Sequence, residues 1–224
     1  MSHLRDLSLS FGTQLSPQPD RRTIESNLLI FNGLEPPQDL EKLSISNYGG
    51  TTMSPICLAS LTNLKELHLR NAIELLSLPS LGKILPCLES LTILDWQNRR
   101  LKKVGVEFLG IKSENKKEDI KIFPNLKYLE FCGFPAWEEW IGGTRGGGKE
   151  DEDCITIMPR LQKLILNSCI NLKSLPDFLR TTPLKELEIF GCPIIKKRCQ
   201  RETGEDWHNI SHIPIIQLID DPDR

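Results

Sequence analysis

Leucines recur in this chain at a spacing that neither a free helix nor an isolated strand can use. Aligned on their first leucine, the segments LRDLSLSFG at 4, LEKLSISNY at 40, LKELHLRNA at 64, LESLTILDW at 88, LKYLEFCGF at 126, LQKLILNSC at 161 and LKELEIFGC at 184 share the pattern LxxLx[LIF]. Their starts lie 36, 24, 24, 38, 35 and 23 residues apart. Within each segment the apolar residues at positions 1, 4 and 6 face one way. The period-2 stretch from position 3 to 7 makes a short strand whose residues 3, 5 and 7 face the other way. One such strand cannot bury its leucines alone. Stacking successive coils about 4.8 Å apart in a parallel sheet turns the leucines into a continuous core.

The short intervals match the roughly 20 to 29 residue unit of a leucine-rich repeat, and the three long ones carry insertions. The register predicts an α/β repeat fold over residues 1–192, followed by a C-terminal capping segment at 193–224. The expected architecture is a leucine-rich-repeat solenoid with a curved parallel sheet on its concave face. Loops, 3-10 turns and one or two short α-helices are expected on the convex side. Most strands are followed by breakers: Asn47 to Gly50, Cys132-Gly133-Phe134-Pro135 and Gly191-Cys192-Pro193. The return segments LLSLPSLGKILP and LKSLPDFLRTTP hold prolines that forbid long helices. The best helix candidate is Ile24 to Leu34, ended by Pro36-Pro37. Position 9 of the unit, where Asn or Cys often bonds the turn internally, is Cys169 and Cys192 in two units. Elsewhere it is Gly12, Tyr48, Ala72, Trp96 and Phe134. The polar runs at 112–121 and 142–153 have no apolar anchors and are expected to be mobile exposed loops. The first unit is expected to leave Leu4, Leu7 and Leu9 at an open sheet edge, whereas IPIIQLIDDPDR reads as a better sealed last apolar strand.

Composition narrows the function. Thirty-five of the 224 residues are leucine, and 28 basic residues against 30 acidic ones leave a net charge of −2. Such a balance gives no electrostatic footprint for nucleic acid or an anionic membrane. No apolar run reaches the roughly 18 to 20 residues of a membrane span, and MSHLRDLSLSFG lacks the apolar core of a signal peptide. A cytoplasmic location is expected, with the seven scattered cysteines reduced. Asn209-Ile210-Ser211 matches a glycosylation acceptor, which in that compartment is idle.

Three patterns invite chemistry. Gly143 to Glu150 nearly spells the phosphate-cradling GxxxxGK[ST] loop, but Glu150 replaces the hydroxyl residue and Asp151, Glu152 and Asp153 would repel phosphate. Cys192, Cys199, His208 and His212 are zinc-type ligands at the wrong spacing, with Cys192 expected to point inward and Cys199 to pack as a small apolar residue. Nucleophilic catalysis needs a base, and the chain has only four histidines. Of these, His68 reads as a solvated side chain between Glu66 and Arg70, and the neighbouring Glu186 and Glu188 as a solvated acidic face. No cofactor, metal or small-molecule substrate is expected. Trp137 and Trp140, in AWEEW, either fold back onto the core or anchor a partner, and Trp207 is expected to seal the end of the stack. The surface that remains is the row of positions 3, 5 and 7. From it we take Lys42, Ser44, Glu66, His68, Arg70, Thr92, Leu94, Tyr128, Glu130, Lys163, Ile165, Asn167, Glu186, Glu188 and Phe190 as candidate partner-binding residues. Mixed charges with scattered apolar groups suit protein recognition.

The runs LKELHLRNA, FPNLKYLEF and MPRLQKLILNSCINLKSLP resemble the C-terminal leucine-rich-repeat region of plant NLR (nucleotide-binding leucine-rich-repeat) disease-resistance proteins of the coiled-coil class. LKELEIFGCP and the ending RCQRETGEDWHNISHIPIIQL carry the likeness further. Its most specific parts are SCINLKSLP and GEDWHNISHIP. The resemblance implies a non-enzymatic module that restrains a nucleotide switch and senses a pathogen effector directly or through a guarded host protein. The sequence carries no coiled-coil segment and no nucleotide-binding domain, so a truncated product or a fragment is expected. The partner is then an effector, a guarded protein or the missing nucleotide-binding domain. A leucine-rich-repeat adaptor that receives substrates for a ubiquitin ligase is the alternative, although no adaptor-binding helical box precedes the first unit.

Overall fold

The computed structural model describes residues 4–11, 21–33, 36–53, 56–72, 74–95, 98–111, 120–142 and 155–220. Seven strands lie where the leucine ladder predicts them. They are β1 Asp6–Ser10, β2 Lys42–Ser46, β3 Glu66–Arg70, β4 Ser90–Leu94, β7 Tyr128–Cys132, β10 Lys163–Asn167 and β11 Glu186–Phe190. An eighth, β12 Ile215–Ile219, continues the series. All pair in parallel in the order β1-β2-β3-β4-β7-β10-β11-β12. The register never slips: Leu7, Leu43, Leu67, Leu91, Leu129, Leu164, Leu187 and Ile216 form one row. A one-residue slip in a strand such as β2 or β3 would exchange its leucines for polar residues, so burial holds the register.

Positions 1, 4 and 6 supply the core: Leu40, Leu64, Leu67, Leu88, Leu91, Leu126, Leu129, Leu161, Leu164 and Leu187 are fully buried. After position 7 the chain turns through left-handed backbone at Asn47 (φ 58°), Asn71 (φ 53°), Gly133 (φ 81°), Ser168 (φ 54°) and Gly191 (φ 60°). All five stand at position 8, where glycine, asparagine or a small polar residue tolerates this geometry at least cost. Their amides continue the ladder, as in Asn71 N to Leu94 O at 2.8 Å and Ser168 N to Phe190 O at 2.8 Å. Cys192 and Cys169 tie the last two of these turns together. The Cys169 amide donates to Cys192 Sγ at 3.3 Å, and the Cys192 thiol reaches Phe190 O at 3.3 Å.

The return segments differ from expectation in three ways. Among the described residues six α-helices occur rather than one or two: α1 Arg21–Gly33, α2 Ile56–Ala59, α3 Leu81–Ile84, α4 Val106–Leu109, α5 Pro193–Arg198 and α6 Trp207–Ile210, with a 3-10 turn at Asp177–Thr181. Four of them have only four residues, too short to leave a 3.6-residue period in sequence. The first helix begins three residues before its apolar stretch, because Arg21, Arg22 and Thr23 prolong it. Two-residue parallel ladders also link β5 Lys103–Val104 to β8 Glu139–Trp140 and β6 Lys121–Ile122 to β9 Thr156–Ile157. The polar insertions and the glycine-rich loop at 143–150 lie outside the described residues, apart from 120, 121 and 142.

The two tryptophans left open by the sequence are packed. Trp137 is fully buried and Trp140 nearly so, in a cluster with Phe131, Phe134, Phe108 and Phe178. Trp207 is half-buried against the core, but β12 lies beyond it and it does not end the stack. The end strands are alike: β1 and β12 share one alternation of exposed and half-buried residues. Leu4 is exposed as expected, Leu7 and Leu9 are half-buried, and the C-terminal strand is no better sealed, with Ile215 and Ile219 exposed.

One buried polar residue organises the fourth turn. Position 9 there is Trp96, yet Asn98, two residues later, does the turn-bonding work. Its amide donates to Ala72 O and Leu75 O at 3.1 Å each, and its oxygen accepts from Arg100 N and Leu101 N at 2.8 Å each. Asn98→Ala strands Leu75 O, Arg100 N and Leu101 N, while Ala72 O keeps the Leu75 amide, and is expected to lower stability by about 3 kcal/mol, read by urea denaturation. Asn98→Asp keeps the acceptor half but buries a carboxylate against the Ala72 and Leu75 carbonyls, and should cost at least as much.

Candidate protein-interaction face

The strand register places all fifteen candidate residues on the face opposite the leucine core. Lys42 and Ser44 stand on β2, Glu66, His68 and Arg70 on β3, Thr92 and Leu94 on β4, and Tyr128 and Glu130 on β7. Lys163, Ile165 and Asn167 stand on β10, and Glu186, Glu188 and Phe190 on β11. Parallel pairing aligns them in three rows. The middle row runs Ser44, His68, Thr92, Glu130, Ile165, Glu188. The structure extends that row by Gln217, and the flanking rows by Ile215 and Ile219. The strand IIQLI is apolar on both faces, so alternation alone could not sort its side chains; only pairing with β11 does.

Most of these side chains are half-buried by their neighbours; Arg70 is exposed and Thr92 is buried. His68 departs from expectation. It is only 18% exposed, because Ser44 and Thr92 flank it on the adjoining strands, and its Nε2 lies 3.6 Å from Glu66. Lys42 bonds Glu66 at 3.1 Å and holds that carboxyl below its usual range. Lys163 bridges Glu188 at 2.5 Å and Glu186 at 3.1 Å, and the Glu188 bond raises the ammonium's pKa. The Tyr128 hydroxyl donates to Glu130 at 2.7 Å, and burial pushes the phenol's pKa up, so it remains neutral. Such half-exposed pairs add little stability; they orient side chains.

Beside this face, position 2 of the unit carries a row of alternating charge. Glu41 accepts from Arg5 (3.3 Å) and Lys65 (2.9 Å), and Glu89 from Lys127 (2.6 Å). A recess of about 340 Å³ lined by Arg5, Asp39, Glu41, Asn63, Lys65 and Cys87 opens there, with its principal charges already paired.

The zinc-type residues are not drawn together. Cys192 and Cys199 are buried, whereas His208 and His212 are exposed and rest on the carbonyls of Glu205 and Thr182. Burial pushes the thiols of Cys132 and Cys199 up to about 12 and that of Cys169 well above its ordinary value. Two outcomes follow from neutral, enclosed thiols. Iodoacetamide at mildly alkaline pH should leave these three cysteines unmodified in the folded chain and label them in denaturant, read by peptide mass spectrometry. Because their folded pKa lies above the unfolded one, the linked stability is intact below the unfolded thiol pKa of about 8.5 and falls as pH rises towards 12. Urea titrations at successive pH values should show less of that fall in Cys132→Ala and Cys199→Ala.

Stacked LxxLx[LIF] coils, a parallel sheet with one polar face, and short return helices define a leucine-rich-repeat protein of the α/β kind. The family model of R13L1/DRL21 leucine-rich repeats matches residues 1–96. An Arabidopsis thaliana protein named as an RPP13-like disease resistance protein is 30% identical over 203 residues, 86% of this chain and 18% of its own length. Another disease resistance protein of the same plant is 38% identical over 99 residues, 43% of this chain and 10% of its own. Disease resistance protein RGA4 of Solanum bulbocastanum is 46% identical over 51 residues, 22% of this chain and 5% of its own. No solved structure matches. The chain resembles the leucine-rich-repeat region of NLR-type plant disease-resistance proteins, and it spans less than a fifth of the length of the relatives it matches. Among the described residues no helix is long and apolar enough to cross a membrane.

Proposed function

We propose that this chain is a non-catalytic protein-recognition module of a plant immune receptor, cytoplasmic in location. Its partner, met on the open sheet face, is a pathogen effector, a guarded host protein or a nucleotide-binding domain. The observation that carries the reading is the unbroken register of eight parallel strands, which sets mixed polar, charged and apolar side chains in rows on one side of a leucine core. In this reading the stack is a solenoid over 1–192 with that face concave, and 193–224 caps it. The relatives' names support a role in defence, and repeats of this type generally serve as interaction surfaces.

The test is affinity capture from leaf extract with the chain and with a variant reversing Glu66, Arg70, Glu130 and Lys163. A control variant reverses Lys102 and Lys121, away from the face. The face variant should lose specific partners, identified by mass spectrometry, with an unchanged circular dichroism spectrum. Equal capture by face and control variants would sink the reading.

A further inference from the structure

The open face is not uniform along the sheet. On β1 to β4 it carries Asp6 and Glu66 against Lys42 and Arg70, so carboxylates and cations balance among serines, Thr92 and His68. From β7 to β12 the character changes. Tyr128, Ile165, Phe190, Ile215 and Ile219 place apolar surface there, with Ile215 50% and Ile219 44% exposed. Phe190 and Ile219 are direct cross-strand neighbours. Among them stand three carboxylates, Glu130, Glu186 and Glu188, and one ammonium, Lys163.

The pairing within this half is incomplete. Lys163 serves both Glu186 and Glu188, so one of those charges is uncompensated. Glu130 accepts from the Tyr128 hydroxyl, which brings no charge. In the middle row Ile165 lies between Glu130 and Glu188. The two carboxylates therefore stand about 10 Å apart across an apolar floor. Any occupant that covers Ile165, Phe190 and Ile219 also removes water from Glu130 and Glu188. Three carboxylates against one ammonium leave this half with excess negative charge, and burying that excess costs several kcal/mol unless opposite charge arrives with the occupant. A purely apolar or an acidic surface is thereby rejected, while a cation flanked by apolar side chains gains on both counts.

We propose that the β7 to β12 half of the open face binds a polypeptide segment in which arginine or lysine is flanked by bulky apolar residues. The cation lies over Ile165 between Glu130 and Glu188, and an apolar side chain lies against Phe190 and Ile219. This rests on the recognition reading above and narrows it to one half of the face and one chemistry of partner.

The full chain, immobilised, would be panned against a phage-displayed library of random peptides, and enriched peptides synthesised for fluorescence-polarisation titration. Enriched sequences should carry arginine or lysine beside leucine, isoleucine or an aromatic residue, and their affinity should fall as salt is raised. Glu130→Lys with Glu188→Lys should weaken binding by at least about tenfold, as should Phe190→Ser, while Glu66→Lys with Arg70→Glu should leave it unchanged. Glu130→Gln with Glu188→Gln, a milder pair, should weaken binding several-fold, and thermal melts by circular dichroism check that each variant is folded. Acidic consensus peptides would overturn the proposal, as would binding indifferent to the Glu130 and Glu188 variants. Ligands lost only on changing Glu66 and Arg70 would overturn it while leaving the recognition reading standing; no ligand for either half would count against both. A dimer in light scattering, abolished by Glu188→Lys, would identify a second copy as the occupant and overturn the peptide assignment.

Discussion

Phe131→Ala is expected to lower the free energy of unfolding by about 3 to 5 kcal/mol, among the largest losses available to a single substitution in this chain. Phe131 is fully buried on β7, and its ring meets Trp137 at 4.8 Å, Trp140 at 5.4 Å, and Phe108 and Phe134 at 6.2 Å each. These rings come from return segments on either side of the strand. Deleting the phenyl opens a cavity that four large, mutually packed rings cannot close by relaxing, which places the cost high in its range. Phe131→Leu, which refills most of the volume, should cost about 1.5 kcal/mol or less. Urea denaturation followed by tryptophan fluorescence reads both directly, since Trp137 and Trp140 stand in the cluster. A loss for the alanine variant below about 1 kcal/mol would contradict this account of the aromatic core.

Asp206→Ala should cost about 3 kcal/mol, through a different mechanism. The carboxylate is 5% exposed and accepts from Arg198 Nη2 at 2.8 Å and Nε at 3.0 Å, and from the Leu175 amide at 3.1 Å. One side chain thus joins the end of α5, the turn at 204–206 and the preceding coil. Its removal leaves the partly buried Arg198 guanidinium with Glu205 alone and the buried Leu175 amide without an acceptor. The same turn brings Gly204 so close to Arg198 that a Cβ there would lie 2.0 Å from its carbonyl oxygen. The specificity of the GEDW run therefore has a physical basis: glycine for the close approach, aspartate for the clamp, tryptophan for the packing. Asp206→Asn, which keeps an acceptor for Leu175, should lose roughly half as much. Because each coil touches chiefly its neighbours, hydrogen exchange should accelerate around 172–214 and hardly change in β1 to β4. Uniform acceleration across the sheet would show that the stack unfolds as one unit.

The strands were legible because their signal is periodic and repeated. Leu67, Leu91 and Leu129 each belong to a pattern that recurs with few exceptions, and stacking lets each unit corroborate the next. The face opposite them followed by alternation, which is why the candidate residues could be named from spacing. What escaped notice has no period. Asn98 takes over the turn-bonding role two positions late in the unit. Trp137 and Trp140 could pack or dock until the rings around them were placed. The half-burial of His68 arises from Ser44 and Thr92, which lie 24 residues away on either side in sequence and one strand away in space. Four-residue helices and two-residue ladders are shorter than any window in which periodicity can be recognised.

Spacing of leucines by itself determined that this chain must pile coil on coil, since a strand with one apolar face has no other way to bury it in water. It also determined which residues line the sheet's open side. Tertiary structure alone decided that Lys163 is shared between Glu186 and Glu188, that β12 joins the sheet with isoleucines outward, and that Asp206 bridges two coils. Those are contacts between residues distant along the chain, whose meeting depends on the length and path of each return segment.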